Sequence, residues 1–159
     1  MTTSLMRSQT GSARGDTGRR TMLVSIKLDD GAYLPDRAHS TDAGADIRTP
    51  EPVVVMPNGS AVVKTGVHVQ LPSGTVGIIK SKSGLNVKHN ITSEGVIDEG
   101  YSGEIVVKLY NHGNRCVSFD RGDKVSQLLI VPVLYPSYIQ VEEIAGGDRG
   151  NNGFGSTGR

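Results

Sequence analysis

The chain lacks tryptophan altogether and has two phenylalanines and five tyrosines among its 159 residues. Its core must therefore come from Val, Ile and Leu, and the β-branched members of that set favour strands. Cys116 is the single cysteine. That excludes a disulfide within the chain and any thiolate zinc cluster, and makes a cytoplasmic location the default expectation. Net charge is nearly absent too: 17 basic and 16 acidic residues leave +1. Bulk electrostatics therefore make no case for a nucleic-acid partner. No apolar run approaches the roughly 20 residues that span a bilayer, so no membrane partner is expected. The four histidines, His39, His68, His89 and His112, show no ligand spacing and read as structural or surface groups. Neither an internal repeat nor a helix longer than a turn or two is evident.

What is present is β-pattern. A chain of this length buries one core, hardly two. Met22–Leu28, Pro52–Met56, Ala61–Leu71, Thr75–Ile79, Glu104–Tyr110, Lys124–Leu134 and Tyr138–Ile144 are rich in β-branched and apolar residues. Gly, Pro, Asn and Asp interrupt them at Pro57-Asn58-Gly59, Pro72-Ser73-Gly74, Asn111-His112-Gly113-Asn114 and Arg121-Gly122-Asp123. This rhythm predicts an all-β fold, a jelly-roll-like barrel or sandwich, over residues 22–145. Small β domains of this kind often complete their burial in a symmetric oligomer.

Both ends differ from the middle. Residues 1–21 have no hydrophobic period and carry four arginines against Asp16, whereas the remainder is mildly acidic. They read as a disordered extension. The Arg- and Ser-rich composition is also that of a mitochondrial transit peptide, but Arg19-Arg20 lacks the apolar region of a twin-arginine signal. Arg14-Gly15-Asp16 matches an adhesion tripeptide by chance, and Met22 could itself be the true start. Residues 146–159 contain six glycines, Arg149, Phe154, Ser156 and Thr157. Glycines leave N–H groups free to wrap an anion, arginine and hydroxyls suit phosphate oxygens, and one aromatic plate can stack on a base. The segment reads as a flexible lid over a nucleotide, with a plain polar terminus as the alternative.

Four internal segments carry further chemistry. Asp42-Ala43-Gly44-Ala45-Asp46-Ile47 can seat a carboxylate against neighbouring backbone, or can be a turn. Lys80-Ser81-Lys82-Ser83-Gly84-Leu85 combines cations, hydroxyls and a tight glycine turn suited to phosphate, in an order that is not a Walker loop. In Glu94-Gly95-Val96-Ile97-Asp98-Glu99-Gly100-Tyr101-Ser102-Gly103-Glu104, a carboxylate follows an apolar pair and a tyrosine comes three residues later. Asp98 there is placed to orient and deprotonate a water, or serves as a turn acceptor. Gly122-Asp123-Lys124-Val125-Ser126-Gln127-Leu128-Leu129 is a turn leading into a buried strand, with Lys124 and Gln127 facing either a site or water.

Taken in order, AGADI, SKSGL, GVIDEGYSGE, GDKVSQLL and RGNNGFGSTG resemble the five motifs of the trimeric deoxyuridine triphosphatases, the dUTPases. The resemblance covers Met22–Arg159, and its third and fifth motifs are the most specific. It implies a β jelly roll, a homotrimer whose sites draw on all three subunits, and Mg²⁺-dependent hydrolysis of dUTP to dUMP and pyrophosphate. The metal would be held mainly by the substrate triphosphate, with Asp46 supporting its water shell. Asp98 would activate the water that attacks the α-phosphorus, and Tyr101 would exclude a ribose 2′-hydroxyl. Gly95, Val96 and Ile97 would read the uracil edge, with Thr92 nearby. Lys82, Ser83, Gly84 and Gln127 would hold phosphates. Arg149, Ser156 and Thr157 would close on the γ-phosphate while Phe154 caps the base.

Departures from the family pattern are local. Ser81-Lys82 stands where Pro-Arg is usual, Lys124 replaces an arginine, and Gly100-Tyr101-Ser102-Gly103 replaces Asp-Tyr-Arg-Gly. Lysine keeps the charge but loses the bidentate fork. Deoxycytidine triphosphate deaminases share the fold and hairpin but need a glutamate in the following strand, where this chain has Lys108. A binding or regulatory protein on the same scaffold is the alternative from another class.

Overall fold

Strand β8, Val106–Asn111, shows how the sequence writes this fold. Val107, Leu109 and Asn111 are buried, while Val106, Lys108 and Tyr110 alternate with them on the exposed face. The computed structural model describes residues 22–147 and residue 150. The other strands are β1 (Ser25–Leu28), β2 (Ala45–Arg48), β3 (Val53–Val55), β4 (Ser60–Lys64), β5 (Val67–Gln70) and β6 (Thr75–Lys80). They are followed by β7 (Ile91–Ile97), β9 (Val117–Phe119) and β10 (Lys124–Pro132), with one helix, α1 (Ser83–His89), between β6 and β7.

The strands form a six-stranded antiparallel sheet in the order β2-β10-β6-β7-β8-β4 and two separate antiparallel pairs, β1-β5 and β3-β9. One core of Val, Ile and Leu fills the interior. Ile47, Val55, Ile105, Val107 and Leu109 are wholly buried, and Phe119 is the aromatic among them. Burial of this set is what orders the sheet, because exposed hairpins by themselves are marginal. Asn111 is buried without penalty: its Nδ2 donates to the Val55 and Arg115 carbonyls, and its Oδ1 accepts from Gly113 N–H.

The expected jelly-roll architecture is present, with three local differences. Ala61–Leu71 is two strands, since Thr65 and Gly66 break the run and Gly66 takes φ 65°. Ala45–Arg48, within a segment that by itself read more readily as a turn, pairs with β10. Tyr138–Ile144 forms no strand: among the described residues it has no ladder partner, and Tyr138 and Ile139 are 90% and 83% exposed. An apolar β-branched run becomes a strand only where a ladder partner exists, and Pro132 and Pro136 carry this one off the sheet.

Candidate active site

The phosphate-type segments converge on Asp46. β2 and β10 are paired, so Asp46 lies opposite Gln127, and Gln127 lies opposite Lys80 on β6. Lys82, the residue before α1, and Lys124, at the start of β10, both donate to the Asp46 carboxylate; Lys124 Nζ is 2.5 Å from Oδ2. Burial alone would raise the Asp46 pKa. The hydrogen bonds from Lys124 and Lys82 outweigh it and hold the carboxyl below its ordinary value. Gln127 Nε2 donates to the Ser81 carbonyl at 2.9 Å, and the Gln127 side chain lies directly over Gly44, leaving no room there for a Cβ. Ser81 Oγ accepts from Ser93 N–H at 2.9 Å, and Ser93 and Ser126 share a buried hydroxyl pair at 2.8 Å. These small polar groups seat the turn before α1 on the sheet. Ser83 and Gly84 occupy the exposed first turn of α1, which has no side-chain cap. Lys88 and His89 complement the dipole at its other end.

The third segment lies at the opposite end of β7. Its ladder with β8 stops at Ser93↔Leu109, and beyond that β8 pairs with β4 alone. Residues Glu94–Ile97 are therefore laddered only to β6, through Lys80↔Glu94 to Gly77↔Ile97. Gly95, Val96 and Ile97 thus have one strand edge turned away from any ladder. Asp98 follows directly, exposed, on a turn closed by Tyr101 N–H to the Asp98 carbonyl at 3.1 Å. Gly100 takes φ 87°, the positive value that the third position of a type II turn requires. Asp98 also lines a cleft of about 600 Å³ with Thr75, Val76, Glu99, Gly100, Val133 and Tyr135. Glu99 fixes one wall, accepting from Tyr135 Oη at 2.5 Å and from Gly74 N–H at 2.8 Å. Those bonds, Tyr135 first, lower the Glu99 pKa, and Glu99 raises that of Tyr135.

Within one chain the predicted residues form two groups. Asp46, Lys82, Ser83, Gly84 and Gln127 gather at one end of β7, while Gly95, Val96, Ile97, Asp98 and Tyr101 gather at the other. Asp98 is five residues beyond Ser93, about 16 Å along an extended strand. Thr92 stays at the end of β7 that carries Asp46, Lys82 and Gln127, its Oγ1 2.8 Å from His112 Nε2. Arg149, Phe154, Ser156 and Thr157 lie outside the described residues. Lys108 stands on the outer face of β8 with its ammonium 5.1 Å from the Tyr110 ring, where the deaminase pattern needs a glutamate. Two sets of contacts escaped the sequence reading: the pairing of Lys82 and Lys124 with Asp46, from which they lie 36 and 78 residues away in sequence, and the bonds of Ser93, its main chain to Ser81 Oγ and its hydroxyl to Ser126. Their partners are distant in sequence and share no motif spacing.

Comparison with known proteins gives one answer. The family model described as dUTPase matches residues 30–158. The deoxyuridine 5′-triphosphate nucleotidohydrolase of Clostridium acetobutylicum is 43% identical over 135 residues, covering 83% of this chain and 93% of that protein. Among solved structures, a variant dUTPase of Staphylococcus bacteriophage 80alpha with dUpNHpp superposes with TM-score 0.80 at 33% identity, covering 87% of this chain and all of that one. The dUTPase of phage phi11 of S. aureus, whose structure details coordination of a structural Mg(II) ion, gives TM-score 0.71 at 33% identity over 77% and 98% of the chains. The motif order, the jelly roll and these likenesses agree: the chain belongs to the dUTPase family, enzymes that hydrolyse dUTP to dUMP and pyrophosphate.

Proposed function

We propose that this dUTPase works as a homotrimer in which each site is assembled from different chains, with Asp98 as general base and residues 146–159 as the lid. The observation that carries this reading is the exposed Asp98 carboxylate on its type II turn, beside the strand edge that β8 leaves at Gly95–Ile97. Uracil pairs in the plane of that edge, and the main-chain groups of residues 95–97 select its hydrogen-bond pattern over that of cytosine. Tyr101 lies against the deoxyribose. Asp98 takes a proton from water as the water oxygen bonds to the α-phosphorus, and the bond to the bridging oxygen breaks to release pyrophosphate.

The separation of the two groups along β7 argues for sharing between chains. A carboxylate must stand one water from the α-phosphorus, yet Ser83 and Gln127 of the same chain lie at the far end of the strand. A second copy supplies what the first keeps out of reach. The outer face of the sheet supports the same arrangement: Leu129, Ile78 and Val96 stand in register across three strands, with Val131 opposite Val76 alongside. Val96 is 67% exposed in the isolated chain, and such a row is an interface in search of its symmetry mates.

Mg²⁺ fits the donors present. Both Asp46 oxygens are committed to lysines, so Asp46 would act through the ion's water shell while the substrate phosphates supply the inner oxygens. When bound, the ion neutralises charge on the triphosphate. Lys82, Ser83, Gly84 and Gln127 orient that triphosphate, and Arg149, Phe154, Ser156 and Thr157 close over it. The exposed, unpaired thiol of Cys116 accords with a cytoplasmic setting. The direct test is pyrophosphate release from dUTP, dCTP, dTTP and UTP in parallel, with Mg²⁺ and with EDTA. Release from dUTP alone, abolished by EDTA, is expected. Ammonia from dCTP, or silence with all four from folded protein, overturns the reading.

A further inference from the structure

His68 lies on β5, outside every segment assigned to the site. Its ring spans two loops. Nε2 is 3.0 Å from Asp29 Oδ2 in the turn after β1, and Nδ1 is 3.0 Å from the Ser102 carbonyl oxygen. Both partners are acceptors with no proton to give. A neutral imidazole has one N–H and one lone pair, so either tautomer sets a lone pair against one of these oxygens. The imidazolium alone donates to both. The His68 side chain is 19% exposed, and that of Asp29 48%.

Ser102 is the residue after Tyr101. The bonds of Tyr101 itself are internal to the turn: its N–H goes to the Asp98 carbonyl, and its Oη donates to the Glu104 carbonyl at 3.0 Å with the ring folded over Gly103. The turn is tied to the scaffold at its two ends. Glu99 holds Tyr135 and Gly74 at one. At the other, Thr65 Oγ1 donates to the Ile105 carbonyl and Gly66 N–H to Glu104 Oε1. Among the described residues, His68 supplies the tie in the middle, next to Tyr101.

We propose that His68, as an imidazolium, is a positioning residue for sugar discrimination: it straps the Ser102 carbonyl, and hence Tyr101, to the Asp29 turn. The inference rests on the reading of Tyr101 as the group that excludes a 2′-hydroxyl. The charged groups on the elements packed around the ring are Lys27, Asp29 and Asp30 on the β1 side, and Asp98, Glu99 and Glu104 on the turn side. Asp29 is the one that pairs with it, while Lys27 shares Asp29 at 3.4 Å. The Asp29 bond first, then the Ser102 carbonyl, raises the His68 pKa above 6.5, against partial desolvation of the ring and, less, the charge of Lys27. His68 in turn is the main cause of the lowered Asp29 pKa. A raised histidine contributes fully below its unfolded value and is lost as pH rises through the folded one. The strap is therefore complete below the ordinary histidine value and released as pH rises through the raised one.

The experiment measures kcat/KM for dUTP and UTP from about pH 6 to pH 9.5, a range bracketing histidine titration, in the wild-type enzyme, His68→Gln and Tyr101→Ala. The ratio of the two substrates cancels the titration of the shared water chemistry. The wild-type ratio is expected to fall about tenfold as pH rises, the scale of one lost charge-assisted hydrogen bond. His68→Gln has one amide donor group and cannot serve both acceptors, so its ratio should be low and flat, with kcat for dUTP changed less. Nitrogen NMR of the wild-type ring should show both nitrogens protonated at neutral pH, with a midpoint matching that of the ratio. A flat wild-type ratio, a neutral ring at pH 7, or an unaltered ratio in His68→Gln overturns the strap. If the glutamine variant does not fold, the wild-type profile and ring titration decide. A Tyr101→Ala enzyme that keeps its discrimination sinks the reading of Tyr101 itself, whereas one that loses it while His68→Gln does not sinks the strap alone.

Discussion

Asp98 is exposed, and among the described residues its carboxylate makes no hydrogen bond. A side chain so placed contributes little to folding and is free for chemistry. Asp98→Asn should lower kcat by about 10² to 10⁴, the range of a positioned general base, while KM for dUTP stays close to wild type. Its melting temperature should be unchanged, because an exposed isosteric substitution shifts stability by about 0.5 kcal/mol at most. Steady-state kinetics with a parallel thermal melt test both halves, and a kcat within a few-fold of wild type would remove Asp98 from its role. Asp98 and Tyr101 were legible in the sequence because the turn that presents them is local: carboxylate, positive-φ glycine and aromatic lie within four residues. His68 was not. Its two partners come from 39 residues before it and 34 after it, and nothing in the sequence announces such a bridge.

At the level of elements, the sequence is clearest where strands alternate cleanly, as in β8 and β6. It is least clear where small polar residues face inward. β7, read as ITSEGVI, puts Ser93 and Gly95 on the core side between Ile91 and Ile97, so its period is hidden from hydropathy although its geometry is regular. Ser93 is tolerated there because Ser126 and Ser81 satisfy it. Asp46 does comparable work between elements, tying β2 to the turn before α1 and to the start of β10. Asp46→Asn would leave Lys82 and Lys124, about 27% and 31% exposed, without their counter-charge. A loss of about 1 to 2 kcal/mol is expected, charge-assisted bonds discounted for their partial exposure. The Asp46 carboxyl lies below its ordinary 3.8. Its contribution is therefore full above that value and disappears as pH falls through the lowered one. The gap in melting temperature between wild type and Asp46→Asn should be several degrees at neutral pH and should close as pH falls through the lowered Asp46 value, where the carboxyl, like the amide, becomes neutral. A gap that is constant with pH would mean that packing, not charge, holds the three elements.

The assembled molecule makes the most demanding prediction. On the proposed reading, one chain keeps its phosphate-holding residues and its general base at opposite ends of β7, and the lid lies in the sequence beyond β10, which ends at Pro132. If each site takes Asp98 from one subunit and the lid from another, two inactive proteins should repair each other. The Asp98→Asn chain has an intact residue 146–159 segment but no base. A chain truncated after Ala145 has the base but no lid, and should fold with its core intact because every strand among the described residues ends before the cut. Each alone should be inactive. Mixed in equal amounts, dissociated and reassembled at random, they should recover roughly a quarter of wild-type turnover, since base and lid are then drawn independently, each intact in half the chains. Light scattering on the same samples reports whether the mixture is trimeric. Recovery near zero in a trimeric mixture would mean that base and lid belong to one chain, and the separation along β7 would have to be bridged within it. Full activity in the truncated enzyme alone would remove the lid from the mechanism, whatever the mixture did. Recovery near a quarter would fit the divided site and the Leu129–Ile78–Val96 row, half-buried but for the exposed Val96, as two consequences of one arrangement: a small β domain that finishes its core and its catalytic centre in the same act of association.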